Sequence, residues 1–229
     1  YSCKTATNNI VAFFASIGEF ILLSDGAYCK GRKRLKEGFL SSLTHKVSNG
    51  LQEDLTEEQL WKGRRVKTID GSSFIMPDTP ENQEVYPQWR QKEGCGFPIA
   101  RFAVMFCLCT GMVLEFYIAP MSVSERRLFQ KIYQHILERD IILGDRGCCS
   151  YAEMATLLLD RHVDSVFRCN ATKKVDFRRG RWLGYYDHID TWKKPNHKVV
   201  WMTQEEYNQL PNTLQVREIR YSIDTPGFR

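Results

Sequence analysis

Two short apolar runs each end on an acid. "VKTI" is followed by Asp70 and "IILG" by Asp145, 75 positions later. A charge at the end of a buried strand is expensive unless something of opposite sign meets it. If the two strands are neighbours, both carboxylates reach one edge of a sheet, which is where open α/β sheets hold their ligands. Two like charges so placed repel, and a divalent cation between them removes the repulsion. All-oxygen donors select magnesium or manganese over zinc. Simpler readings stand beside this one. Asp70-Gly71-Ser72 suits an Asx-type turn, and Asp145-Arg146-Gly147 suits a strand terminator in which Arg146 pairs with its neighbour.

The elements that must position these acids follow from hydrophobic periodicity. Residues 8–60 read as helical, first through the apolar run "IVAFFASIGEFILL", expected as a buried helix, then through Leu35, Phe39, Leu40, Leu43 and Val47 at helical spacing. "RVKTIDGSSFIM", "ARFAVMFCLCTG" and "MVLEFYIAP" read as three antiparallel strands, with a turn at Thr110-Gly111. A helix over 122–140 opens on a capping box of Ser122 and Glu125. The strand at 141–145 leads to a second box, Ser150 with Glu153, and "VDSVFRC" closes the unit. From 170 onward "RWLGYYDHIDTW", "HKVVWM" and "LQVREIRYSI" read as a small β-rich insertion.

The 229 residues, 43% of them hydrophobic, allow one main core with a smaller appendage. The expected division is a helical region over 1–60, a core over 61–169 and the β-rich region over 170–229. The net charge of +5 suits an anionic partner without requiring one. It is gathered in "CKGRKRLK", "WKGRRVK" and "TKKVDFRRGRW", a distribution that favours a polyanion. Within the last cluster Lys173, Lys174, Arg178, Arg179 and Arg181 are the expected phosphate contacts, with Arg146 a further candidate. Phe177, Trp182 and Tyr185 beside them suit either stacking on an unpaired base or the buried side of a hairpin.

Eight cysteines form no C-x-x-C pair. They are expected as reduced core residues, Cys107 and Cys109 sharing one strand face, in a cytosolic protein. The fourteen-residue apolar run is too short to span a bilayer.

"TIDGSSFIMPDTPENQ", "GFPIARF", "ILGDRGCCSY", "DFRRGRWLGYYDHIDTWKKP" and "LPNTLQVREIRYSIDTPGFR", in this order, resemble the DDE transposases of the insertion-sequence-4 type over residues 24–229. The succession of three strands, helix, strand, helix and strand is that of the ribonuclease H-like fold, a mixed five-stranded sheet of order 3-2-1-4-5 whose first and fourth strands are adjacent. The resemblance implies Asp70 and Asp145 as the first two catalytic, metal-binding carboxylates. It further implies two Mg2+ or Mn2+ ions, cleavage of double-stranded DNA at transposon ends with strand transfer to target DNA, a homo-oligomer on DNA, and a bacterial cytoplasmic, nucleoid-associated setting without a membrane. The family's third carboxylate is a glutamate in Y-x2-R-x3-E-x6-K, a pattern absent here. Glu153, Glu205, Glu206 and Glu218 do not fit it. The third ligand is expected beyond Arg229, so the chain as given is expected to be inactive. The alternative is a non-enzymatic DNA-binding remnant. A metal-dependent phosphatase fits less well, because Ser72 stands where a second acid is needed.

Overall fold

The computed structural model describes residues 6–89, 91–92, 95–170 and 173–225, and the chain divides into two compact units that meet in sequence between Gly50 and Leu51.

The first unit is helical: α1 (Ala6–Ser16), α2 (Asp25–Arg34) and α3, which begins at Glu37 and runs on to Glu53. Ser24 caps α2, its hydroxyl accepting from the Ala27 amide, and Arg32, Lys33 and Arg34 occupy its last turn, where cations oppose the helix dipole. The long apolar run does not form the expected buried helix. Gly18 takes φ +82°, and the amides of Gly18 and Glu19 turn back onto the carbonyls of Ala15 and Phe14, so the helix stops and Phe20 and Leu22 are exposed.

The second unit is built on five strands in the order β3-β2-β1-β4-β5, the ribonuclease H-like arrangement expected above. The strands are β1 (Val66–Ile75), β2 (Ile99–Cys107), β3 (Val113–Pro120), β4 (Ile141–Gly144) and β5 (Asp164–Phe167), with β1–β2–β3 antiparallel and β1–β4–β5 parallel. A six-residue α4 (Pro80–Val85) lies between β1 and β2, with Thr79 capping it. Helices α5 (Glu125–Tyr133) and α6 (Tyr151–Asp160) make the parallel crossovers. Ile69, Met105, Leu128, Phe129, Ile132 and Ile142 pack between the sheet and these helices. Strand alternation puts Lys67 and Ile69 into this core and turns Thr68 and Asp70 to the opposite face.

Beyond β5 a second sheet, β6 (Arg181–Gly184), β7 (Asp187–Lys193) and β8 (Thr213–Ile219), is joined by α7 (Gln204–Gln209). Leu214 and Val216 of β8 and Tyr207 of α7 pack on Tyr151, Ala152 and Ala155 of α6, which ties this appendage to the main sheet. "HKVVWM" is not the expected strand: β7 pairs directly with β8, so this segment has no ladder to join, and Met202 turns into the same cluster.

Three local expectations fail for identifiable reasons. The helix over 122–140 shortens to α5, because Asp140 accepts the Leu137 amide at 2.8 Å and Arg139 takes φ +69°. Ser124 rather than Ser122 stands at its N-cap, so the Ser122–Glu125 box is not formed. Cys109 does not share the face of Cys107, because β2 ends at Cys107 in the turn closed by the Gly111 amide. Cys109, Cys29 and Cys95 are exposed. The cysteines among the described residues are all free thiols.

Candidate active site

The pairing of β1 with β4 sets the site. Val66 is opposite Ile141, Lys67 opposite Ile142 and Thr68 opposite Leu143, an offset of 75 that equals the spacing of Asp70 and Asp145, two residues past the last pair. Parallel backbones lie about 4.8 Å apart in the hydrogen-bonding direction. The ladder ends at Thr68 and Leu143 while β1 continues beside β2, so both aspartates stand where the sheet opens to solvent, and both are exposed.

Local hydrogen bonds aim each carboxylate. Asp70 accepts from the Gly71 amide at 2.8 Å through Oδ1, and Asp145 accepts from the Gly147 amide at 2.7 Å through Oδ1. The Asx-type turn weighed above for Asp70-Gly71-Ser72 is not formed, because all three residues lie within β1; such a turn forms at Asp145 instead, without the pairing to Arg146, and among the described residues neither aspartate has an ion pair. Two exposed carboxylates therefore stand without a neutralising partner among the described residues.

A third acid, overlooked in the sequence, joins them. Glu125, at the start of α5, is half-buried. A Cβ on Gly71 would lie 1.7 Å from its Oε1, so the glycine is what lets this carboxyl approach β1. Burial raises the Glu125 pKa, the Arg101 guanidinium opposes that rise, and the negative charges of Asp145 and Asp70 add to it. Arg126 binds the turn itself, Nη2 donating to the Gly147 carbonyl at 3.3 Å. The S-x-x-E spacing marked Glu125 only as a cap, since its approach to Gly71 depends on α5 packing over β2 and β3. Even so, no group of three or more His, Cys, Asp or Glu side chains is placed to hold a metal ion among the described residues.

Behind the turn, Glu153 is fully buried, not the reciprocal capping residue expected. Its amide donates to Ser150, but its side chain turns into the core and accepts from the Tyr133 hydroxyl at 2.6 Å. Burial drives its pKa up to about 7 against an ordinary 4.5, while the hydrogen bond from Tyr133 and the charge of Arg126 oppose the rise. A carboxyl whose folded pKa is raised contributes stability that is complete below the unfolded pKa and is lost as pH climbs through the folded one. Unfolding free energy should therefore fall by about 3 kcal/mol from pH 4.5 to 8 through this one group. Glu153→Gln should flatten that dependence in denaturant titrations at pH 5 and 8. An equal slope in both proteins would contradict the assignment.

The basic residues are unequally free. Lys173 pairs with Glu218 at 3.0 Å and lies over the Trp192 ring, and Glu218 also binds the buried His188. Arg178 and Arg179 both contact Asp176. Arg146, Lys174 and Arg181 are exposed. Phe177 packs on Tyr186 and His188, while Trp182 and Tyr185 face solvent. In "WKGRRVK", Arg64 binds Asp164 and two carbonyls and Lys67 is buried against Asp140, so that cluster spends two of its cations on the fold.

A mixed five-stranded sheet of this order, with one aspartate on β1 and another directly after β4, has the ribonuclease H-like arrangement. Residues 61–212 match the transposase DDE domain family, and the chain belongs to that family. It is similar to a protein of Escherichia coli (strain K12) named "Putative transposase InsZ", with 22% identity over 210 residues that cover 88% of this chain and 70% of that one. No helix among the described residues is long and apolar enough to cross a membrane.

Proposed function

We propose that Asp70 and Asp145 are catalytic carboxylates of a transposase of the insertion-sequence-4 type, acting on double-stranded DNA at transposon ends and on target DNA. The observation that carries this reading is the pairing of β1 with β4 at the same offset as the two acids just past it, each acid held by a backbone amide and neither neutralised among the described residues.

DDE transposase domains generally use divalent metal ions. The residues suit such a group in their chemistry: hard oxygen donors on two exposed aspartates, and a half-buried third carboxyl, Glu125, whose pKa burial and the charges of Asp145 and Asp70 raise. Asp70 would hold two Mg2+ or Mn2+ ions and Asp145 one of them. When bound, such ions supply an activated water or 3′-hydroxyl and charge stabilisation of the leaving oxygen. The chain's own residues do the positioning. The Gly71 and Gly147 amides fix the two carboxylates, and Arg126 holds the turn against α5. Exposed Lys174, Arg181 and Arg146 grip phosphates without reading sequence, with Lys173, Arg178 and Arg179 beside them. Trp182 and Tyr185 offer faces for stacking. A homo-oligomer would bring two ends together.

A second reading, a DNA-binding remnant without catalysis, is favoured by the lack of a three-carboxylate metal group among the described residues. Manganese-dependent cleavage of a labelled duplex carrying the element's own end separates the two. The transposase reading expects cleavage by a protein extended to include a family-type Tyr, Arg, Glu and Lys segment, and none by the 229-residue chain. Binding without cleavage in both proteins would support the remnant.

A further inference from the structure

The turn that carries Asp145 also carries a thiol, Cys149, and runs beside the end of β5, which leads to a second one, Cys169. Of the described cysteines, Cys107 and Cys148 are buried, Cys29, Cys95 and Cys109 are exposed, and Cys149 and Cys169 are half-buried. The parallel pairing of β4 with β5 ends at Gly144 opposite Phe167, and the Arg168 amide donates to the Gly144 carbonyl at 3.3 Å. From there the two chains diverge by only a few residues. The turn curls back as the Cys148 and Cys149 amides donate to the carbonyls of Asp145 and Arg146, and Cys169 lies two positions past Phe167. Cys169 lies close enough to Cys149 to bear on its ionisation. Cys149, Ser150, Asn170 and Lys173 line a cavity of about 420 Å3, wide enough to admit a small oxidant.

We propose that Cys149 and Cys169 are a modification site: hydrogen peroxide joins them in a disulfide that fastens the Asp145 turn to the end of β5. Peroxide oxidises one thiol to a sulfenic acid, with release of one water. The other sulfur then displaces the hydroxyl as a second water and forms the S–S bond, so two thiols lose two electrons and two protons to one peroxide. Burial raises the Cys149 pKa, and the neighbouring Cys169 adds to this, whereas Lys173 and the Asn170 amide act the other way. The raised pKa slows attack of the Cys149 sulfur on peroxide, so the bond is expected under a sustained oxidant. In a reducing compartment such a bond is transient, which suits sensing rather than scaffolding. Only the consequence for catalysis rests on the reading of Asp145 above; the bond itself does not.

Trypsin separates the two sulfurs cleanly, since Cys169 begins "CNATK" and Cys149 lies in "GCCSYAEMATLLLDR". Peroxide-treated chain, alkylated and digested without reductant, should give these two peptides as one linked species, 2 Da below their sum. The link should persist in Cys148→Ser and vanish in Cys149→Ser and in Cys169→Ser. Backbone amides over 147–150 should exchange with solvent about fivefold more slowly in the oxidised form, and recover with dithiothreitol. A link that survives Cys149→Ser, or oxidation confined to Cys29, Cys95 and Cys109, would overturn the proposal. Linking without slowed exchange would overturn the fastening of the turn.

Discussion

Asp70→Ala and Asp145→Ala, each made in a protein extended through the third-carboxylate segment, should lower end cleavage by at least about 10³-fold while leaving duplex binding within about twofold. Each variant removes an oxygen ligand just past the point where β1 and β4 part, and a charge-stabilising role lost at a reacting phosphate is worth several kcal/mol, each 1.4 kcal/mol being a factor of ten. Binding should survive because the candidate phosphate contacts lie elsewhere, on 173–181 and at Arg146. Both aspartates are exposed and neither holds an ion pair among the described residues, so removing one takes nothing from the core. Asp70→Asn separates charge from shape: it keeps an acceptor for the Gly71 amide and should be as damaged as the alanine variant. Cleavage retained by Asp70→Asn would mean that geometry and not charge matters there.

The largest loss of stability is expected from Asp140→Ala. Asp140 and Lys67 are both nearly inaccessible, their Oδ2 and Nζ are 2.6 Å apart, and the same oxygen accepts the Leu137 amide. Removing one partner leaves a buried charge uncompensated, at a cost of about 3–5 kcal/mol. Denaturant unfolding checks this through the midpoint. The double variant Lys67→Met with Asp140→Leu should recover most of the loss, because replacing a buried pair by apolar groups of similar volume is close to neutral. The pair also bears on function. Lys67 faces Ile142 across the ladder that aligns Asp70 with Asp145, so a slip there would separate the two acids. A single-variant loss below about 1 kcal/mol would show the pair to be dispensable.

How much of this was legible in the sequence depended on the range of the interactions. Strand periods, Gly111 at a turn and the acids closing "VKTI" and "IILG" are local signals. Through the element order they led to the observed sheet. The interior use of charge was not local. Lys67 alternates correctly with Ile69 for a core position, yet its partner Asp140 is 73 residues away, so "WKGRRVK" read as one of the basic clusters favouring a polyanion. Glu125 and Glu153 both stood at capping spacing, and tertiary packing took both elsewhere, one to the space left by Gly71 and the other to the Tyr133 hydroxyl. The apolar run ending near Leu23 misled for the opposite reason: hydrophobicity marked a buried helix, and the conformation of Gly18 ended it early. Lys173 was counted among free cations, although its ammonium lies between Glu218 and the Trp192 ring.

The central claim is that one divalent ion is shared by Asp70 and Asp145, and manganese titrated into the isotopically labelled chain tests it most directly. The Gly71 and Gly147 amides, which hydrogen-bond the two carboxylates, are the reporters. Their resonances should broaden together at the lowest manganese concentration in the wild type, and neither should broaden there in Asp70→Ala or in Asp145→Ala. Broadening of Gly71 that persists undiminished in Asp145→Ala would contradict a shared ion.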